Sequence, residues 1–363
     1  MVSDVIRELT ALATKARVFV SMPWVDGLTP AALGVTGNYE IAKSDEPIER
    51  RHGIFKMSEA GLSPLDHGGL YGDACFEGIL LINDHIFLYK EHLERWVESA
   101  RKMSIPVPYS IEELGLWILK TVQAVGFQPG ERGYLRPVLT RGFGNLGINP
   151  GKCLAPTVYC IASTIQLYPP EAYERGIMLS VARTTRRQGK DIIDPNIKSN
   201  NYLNNIFGLL ETSTKGTLET MMLTDRGHVA EATADNIFLI LKDSGWENDP
   251  AKVNIYTPVG EFCLKGITRD LIIAEANDFG YSIHEVPDLL PLDFVGAGKE
   301  CFLTGTGCGL MPVVGLEDNP VGDGTPGPIT NLLLGRMRAA MANPANGLSI
   351  HADPESLTAY LKS

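Results

Sequence analysis

Positive charge is scarce in this chain. Across 363 residues, 32 Lys and Arg stand against 43 Asp and Glu, a formal charge of −11 with the histidines neutral, and the sequence pI is 5.2. A general nucleic-acid binder needs a net basic surface or a dense basic stripe to neutralise phosphates, so that class is excluded. Long apolar runs are missing as well. No stretch approaches the roughly 18 apolar residues of a membrane span, and the opening MVSDVIRELTALATKARVFV has no unbroken apolar segment of the kind a signal peptide needs. Six cysteines (Cys75, Cys153, Cys160, Cys263, Cys301, Cys308) form no CxxC pair and match no histidine spacing, which leaves neither a zinc site nor a disulfide framework. They read as reduced thiols. Seven histidines (His52, His67, His85, His92, His228, His284, His351) are scattered, with no H-E-x-x-H among them, and no metal is expected. These absences describe a soluble cytoplasmic protein.

Hydrophobic residues make up 44% of the chain and charged ones 21%, an ordinary globular balance. At this length two domains are expected. Residues 1–38 read as an N-terminal extension: a helix over Val5 to Arg17, then a loop punctuated by Pro23, Gly27, Pro30, Gly34 and Gly37. A first α+β domain, 39–165, follows. In it CFEGILLIN and HIFLYK make a hairpin about Asn83-Asp84. Leu93, Trp96, Val97 and Ala100 mark a helix over Glu91 to Met103, Ile111 to Val125 is a second helix, and GYLRPVLTRG and APTVYCIAST are strands. The paired prolines of QLYPPE oppose both helix and central strand, so 166–171 is taken as a linker. The second domain, 172–363, places strands at IMLSVAR, ETMMLTD, HVAEATADNIFLIL and CFLTG, and helices near 201–211, 268–279 and 329–341. Strands and helices mix without a regular βαβ repeat, which points to α+β rather than a doubly wound sheet.

GFGNLG, Gly142 to Gly147, matches G-x-G-x-x-G. A dinucleotide site needs a helix opening at the third glycine, and Pro150 and Gly151 prevent one, so this is a loop. The basic run Arg183, Arg186, Arg187 and Lys190 reads as a solvated loop in an acidic chain.

Four features carry chemistry. In KGITRDLIIAEA, Gly266, Ile267 and Thr268 precede an apolar-periodic helix, whose start offers free N–H groups and a positive dipole end to an anion; Thr268 also fits an ordinary N-cap. TGTGCG, Thr304 to Gly309, is a second small-residue loop where backbone and a hydroxyl can approach a phosphate. Lys198, alone among polar residues in DPNIKSNNYLNN, lies after a proline break and before a helix. A lysine in such a place is either a surface charge or, with its pKa depressed by its surroundings, a Schiff-base nucleophile. Glu231, flanked by small apolar residues in HVAEATADNIF, needs a cationic partner, which a protonated ring nitrogen or an arginine would supply.

Taken in chain order, HGGLYGDACFEGI, EHLERW, YLRPVLTRGFGNLGINP, IKSNNYLNN, AEATADNIF, LKGITRDLI, FLTGTGCGLMPV and VGDGTPGPIT resemble the fold type IV pyridoxal-phosphate enzymes, most closely the branched-chain amino acid aminotransferases. The resemblance runs from about Tyr39 to Met341. It implies an α+β, two-domain fold of the D-amino acid aminotransferase-like and branched-chain aminotransferase-like type, pyridoxal 5′-phosphate as cofactor, small-molecule amino acid and 2-oxo acid substrates, and a homodimer or higher homo-oligomer without nucleic-acid or membrane partners.

By the same resemblance Lys198 is the catalytic lysine that bonds the cofactor's aldehyde and later moves the substrate α-proton. Glu231 pairs with the pyridine nitrogen and keeps it protonated. Arg95 takes the phosphate, for which a planar fork is suited. Ile267, Thr268 and Thr306 add phosphate contacts, Leu264 packs on the ring face, and Tyr202 bonds the phenolic oxygen. Tyr71, Phe76, Gly78 and Tyr134 build an apolar substrate wall, with Arg136, Gly307 and Cys308 on the carboxylate side. The implied reaction is transamination of Leu, Ile and Val with 2-oxoglutarate. Competing readings on the same scaffold are an aminodeoxychorismate lyase, which releases pyruvate without an amino acceptor, and a D-amino acid or (R)-amine transaminase. A binding or structural protein whose site has decayed is the third class, and it would stay colourless with cofactor.

Overall fold

A computed structural model describes residues 2–26, 40–42, 48–164 and 168–363. The chain divides into two compact α+β units: Met1–Ile165 with Ile197–Asn201 and Met341–Ser363, and Gln166–Asn196 with Tyr202–Ala340.

The first unit is built on an antiparallel sheet of nine described strands. Its order is Gly347–Ser349, His85–Phe87, Ile79–Ile82, Gly133–Thr140, Thr157–Thr164, Arg17–Pro23, Arg50–Lys56, Glu40–Ala42, and Ala74–Phe76 adds to Gly133–Thr140. The hairpin turn holds because Asn83 and Asp84 both adopt positive φ, 49° and 61°, the left-handed pair that a two-residue turn requires. Helices Tyr89–Lys102, Ile111–Val125 and Pro354–Lys362 flank this sheet's core, where Trp96, Leu93, Ile118, Leu119 and Leu357 bury against Ile79, Leu81 and Leu135. The Ile111–Val125 helix starts in a capping box: Glu113 N donates to Ser110 Oγ at 3.2 Å and Ser110 N to Glu113 Oε2 at 2.8 Å.

Three sequence expectations are corrected here. The N-terminal residues are not an appendage. The helix spans Val2–Lys15 and ends before Arg17, and Arg17–Pro23 is an interior strand, with Phe19 opposite both Ile54 and Cys160. The apolar, β-branched run VFV fits a position buried between two neighbours. The expected loop at 27–38 lies outside the described residues. Secondly, residues 197–201 and 341–363, assigned by sequence to the second domain, belong to the first unit. Thirdly, the paired prolines do not exclude a helix: Pro170 opens the short helix Pro170–Arg175 at its first position, where a missing N–H costs nothing. The rest of the expected linker at 166–171 falls partly outside the described residues.

The second unit carries a mixed sheet of nine described strands, ordered Val229–Ala232, Glu219–Leu223, Ile177–Arg186, Gly309–Leu316, Glu300–Gly305, Asn236–Lys242, Val253–Pro258, Ser282–Val286, with Asn319–Pro320 on Gly309–Leu316. HVAEATADNIFLIL is not one strand. It breaks at a tight turn in which Ala232 N donates to Asp235 O at 2.8 Å, giving Val229–Ala232 and Asn236–Lys242. Leu179, Val181, Met221, Ile237, Leu303 and Met311 fill the core. Helices Leu203–Thr212, Ile267–Asp278 and Pro328–Ala342 lie close to their expected ranges. Among the described residues no helix is long and apolar enough to cross a membrane.

Candidate active site

In the first unit, residues 197–201 run beside the strand Ala74–Phe76. Phe76 N donates to Lys198 O at 2.9 Å, Asn200 N to Ala74 O at 2.8 Å, and Cys75 and Ser199 form an antiparallel bridge. Lys198 N donates to Ser99 Oγ at 3.3 Å. These backbone ties fix the stem of the half-buried lysine, while its ammonium stands 5.0 Å from the Phe76 ring centroid.

Arg95, on the helix Tyr89–Lys102, turns its Nε and Nη2 to Glu77 at 2.6 and 2.8 Å. His92 Nδ1 lies 2.9 Å from the same carboxylate. Burial opposes the charge on Glu77, but Arg95 first and His92 second hold its carboxyl well below the usual range. Burial likewise pulls His92 down, against the pull of Glu77. Glu77 was not singled out from sequence, although an acid in the apolar run CFEGI is the same signal that marked Glu231.

Tyr134 and Arg136 alternate along Gly133–Thr140 and so share a face. The Arg136 guanidinium lies 4.5 Å from the Phe76 ring centroid and donates from Nη2 to the Tyr134 hydroxyl at 3.2 Å. A Cβ at Gly78 would collide with that hydroxyl, so glycine is required for Tyr134 to lie there. Arg136, Phe76, Tyr134 and Gly78 are thus brought together. Tyr71, at the end of the helix His67–Tyr71, is apart from this contact set: partly exposed, it donates to Leu146 O in the loop 142–150. That loop contains Gly142 at φ 89° and closes with bridges Asp66–Phe143 and Gly144–Cys153, with no helix opening at Gly147.

In the second unit Glu231 sits on Val229–Ala232 and is buried. Its Oε1 accepts from Arg187 Nε at 2.6 Å, and its Oε2 from Leu264 N at 3.1 Å and Asn236 Nδ2 at 3.4 Å. Asn236 also donates to Leu264 O at 2.8 Å. The basic run is thus not wholly a solvated loop: Arg183 is largely exposed, whereas the Arg187 side chain is 12% exposed and pairs with Glu231. Burial opposes the Arg187 charge, yet Glu231 holds its pKa above the ordinary value. Sequence periodicity cannot find this pair, because the two residues are 44 positions apart.

Next to it the helix Ile267–Asp278 begins at Gly266, which caps it without a side-chain hydrogen bond. Thr268 is therefore inside the first turn and is not the N-cap. Gly266 admits no Cβ, since one would strike Asn236 Oδ1. Across the sheet, the loop after Glu300–Gly305 carries half-buried Thr306 and Gly307, and Thr304 Oγ1 is buried with no hydrogen-bond partner. Cys308 faces inward: its thiol is buried, donates to Asp235 Oδ1 at 3.4 Å, and is raised by burial. The thiol is thus engaged with Asp235 and turned into the unit's interior. Tyr202 is the N-cap of Leu203–Thr212. All six cysteines are free.

Residues 74–316 match the family of amino-transferase class IV, which is two thirds of the chain. The chain belongs to the class IV aminotransferases. It is 36% identical over 275 residues, covering 76% of this chain and 89% of the relative, to a putative branched-chain-amino-acid aminotransferase of Methanocaldococcus jannaschii. Two solved branched-chain aminotransferase structures are similar. The one from Escherichia coli has a TM-score of 0.71 at 27% identity, covering 79% of this chain and 91% of that one. The one from the archaeon Thermoproteus uzoniensis, with norvaline, has a TM-score of 0.69 at 26% identity, covering 85% of this chain and 95% of that one. The fold type IV, α+β reading stands.

As an aminotransferase of this class the protein uses pyridoxal 5′-phosphate. The side chains present fit that group. Glu231 is a buried carboxylate fixed by three donors. An uncapped helix start beside it offers N–H groups to a phosphate, and Gly266 admits no side chain in the same corner. The unpartnered Thr304 hydroxyl lies at the foot of the second small-residue loop.

Proposed function

We propose that this chain is a branched-chain L-amino acid aminotransferase that passes the amino group of Leu, Ile or Val to 2-oxoglutarate. The observation that carries the reading is Arg136 lying against Phe76 and the Tyr134 hydroxyl. One pocket must accept an aliphatic side chain and also the second carboxylate of glutamate. An aromatic wall with a guanidinium seated on it meets both demands, because the cation can stay stacked on the ring or turn to an anion.

When bound, pyridoxal phosphate supplies an aldehyde that takes the amino group and a ring that accepts carbanion charge. Everything else falls to the protein. Lys198 Nζ would hold the cofactor at its aldehyde and, when free, would be the base that takes the proton from the substrate α-carbon and returns it in the reverse half of the cycle. Glu231, held by Arg187, Leu264 N and Asn236, would face the ring nitrogen and hold the proton there. Arg95, Ile267, Thr268 and Thr306 would hold the phosphate, Leu264 and Tyr202 would orient the ring, and Gly307 with the Cys308 backbone would receive the substrate carboxylate. Tyr71 lines the entrance to the aliphatic pocket.

The same reading makes the protein a cytoplasmic homodimer or larger homo-oligomer. Its six free thiols support a reducing compartment, and the exposed Leu203, Ile206, Phe207 and Leu210 on one helix support self-association. A monomer in light scattering at micromolar concentration would remove that part.

The test is a single-turnover experiment. Holoenzyme mixed with L-leucine and no acceptor is expected to lose the visible absorbance of its lysine-bound cofactor and release the 2-oxo acid. Conversion with D-alanine or an (R)-amine but with no aliphatic L-amino acid would overturn the substrate class. Pyruvate release from an aromatic precursor without a 2-oxo acid would point to a lyase.

A further inference from the structure

Behind the loop Gly305–Cys308 lies a cluster of acidic groups that the proposed reaction does not use. Asp235, in the turn between the strand of Glu231 and that of Asn236, is buried. Its Oδ1 accepts from Cys308 Sγ and its Oδ2 from the Tyr168 hydroxyl, each at 3.4 Å. Gly305 packs so closely on Oδ1 that a Cβ there would collide with it. The next acid, Glu219, is also buried and accepts from Thr220 N at 2.7 Å, Thr233 N at 3.2 Å and the Thr233 hydroxyl. Asp235 therefore joins two pieces of chain that meet nowhere in sequence: the turn following Glu231, and the loop bearing Thr306, Gly307 and Cys308.

A buried carboxylate is costly unless its hydrogen bonds hold it, and here the Cys308 thiol and the Tyr168 hydroxyl are among its donors. Its ties run to the loop and not to the core alone. Two features suit it to set the loop's position: it bonds the loop at Cys308, and it bars any side chain at Gly305. Burial and the neighbouring Asp235 charge push Glu219 up to about 7, so the two acids do not both carry full charge at neutral pH.

We propose that Asp235 is a positioning residue for the reaction: through Cys308 and Gly305 it fixes the loop whose backbone receives the substrate carboxylate. The proposal rests on the functional reading above, in which Gly307 and Cys308 serve that carboxylate. Asp235 touches no reacting atom, and its loss alters binding of the acid group while leaving the proton transfer by Lys198 intact.

The experiment compares wild-type holoenzyme with Asp235→Ala and Asp235→Asn. The KM for L-leucine and for 2-oxoglutarate, and the dissociation constant of 4-methylvaleric acid by calorimetry, are expected to rise at least tenfold in Asp235→Ala. The kcat is expected to change less than threefold, and the visible absorbance of the bound cofactor to be retained. Asn keeps an oxygen acceptor for the Cys308 thiol, so Asp235→Asn is expected to recover most of the affinity. In a double-mutant cycle, Asp235→Ala with Cys308→Ala is expected to be no worse than the poorer single variant. Unchanged KM and binding constants in Asp235→Ala overturn the proposal, as does a fall confined to kcat or an additive cycle. Should Asp235→Ala not fold, Tyr168→Phe removes one donor to the same carboxylate: a KM rise of a few-fold at constant kcat supports the proposal, and an unchanged KM overturns it. A wild-type protein that neither binds the acid nor converts L-leucine fails the functional reading instead, since that result does not involve Asp235.

Discussion

Arg187 Nε donates to Glu231 Oε1 at 2.6 Å, and the two side chains are only 12% and 7% exposed. The acid proposed to face the cofactor's ring nitrogen is thus held from behind by a buried cation. Breaking such a pair from one side strands a buried charge, which costs about 3–5 kcal/mol. Arg187→Ala is therefore expected to lower stability by that order in urea denaturation and to weaken cofactor binding at least tenfold. Arg187→Lys keeps the charge but loses the fork, and is expected to fall between the two. An unchanged denaturation midpoint for Arg187→Ala would show that the pair contributes nothing.

Lys198 is tied by its backbone to Phe76 and Ser99, so truncating its side chain removes chemistry and spares structure. Lys198→Ala is expected to abolish transamination and the visible absorbance of the lysine-bound cofactor, with thermal stability of the apoprotein changed by no more than a few degrees. Cofactor held without the covalent bond is expected to wash out on gel filtration. Retained lysine-type absorbance would overturn the assignment of this residue.

Glu77 is fully buried between Arg95 and His92. Its folded carboxyl lies well below the ordinary value of 4.5, so its contribution to stability is present above that value and is lost as pH falls below it. Glu77→Gln removes the charge that both partners face. It is expected to destabilise the protein by roughly 3–5 kcal/mol near pH 7, with a gap that narrows as the solution is acidified below pH 4.5. A gap that stays constant down to pH 3 would assign the loss to packing alone.

Sequence carries the elements that are set by near neighbours. The Asn83-Asp84 hairpin, the Ile111–Val125 helix with its capping box and the loop glycine at Gly266 are all local devices, and all are present. Motif order carried the family, because eight blocks in one order are specific where each alone is not. What sequence could not carry is long-range pairing. Nothing local says that Arg17–Pro23 enters a sheet between strands 50–56 and 157–164, that residues 197–201 cross to the first unit, or that Arg187 finds Glu231. The break in HVAEATADNIFLIL has a local mark in Asp235-Asn236, residues disfavoured in strands and favoured in turns, and the Ala232–Asp235 bond fixes the turn there.

Glu219 supplies a pH dependence of opposite sign to Glu77. Burial and the charge of Asp235 raise its carboxyl from 4.5 to about 7 in the fold, against the pull of Thr233 and Thr220. Between those two values the native state holds a proton that the unfolded chain has released. Raising the pH through that window therefore lowers stability, and above it the penalty stays constant. Gln mimics the protonated acid and cannot ionise, and its amide presents a donor where Asp235 bears a charge. Glu219→Gln is expected to match wild type near pH 4.5 and to become the more stable of the two by pH 8, as read from urea denaturation at several pH values. A wild-type protein that gains on Glu219→Gln over that range would mean that Glu219 is ionised in the fold, held by donors other than those of the two threonines.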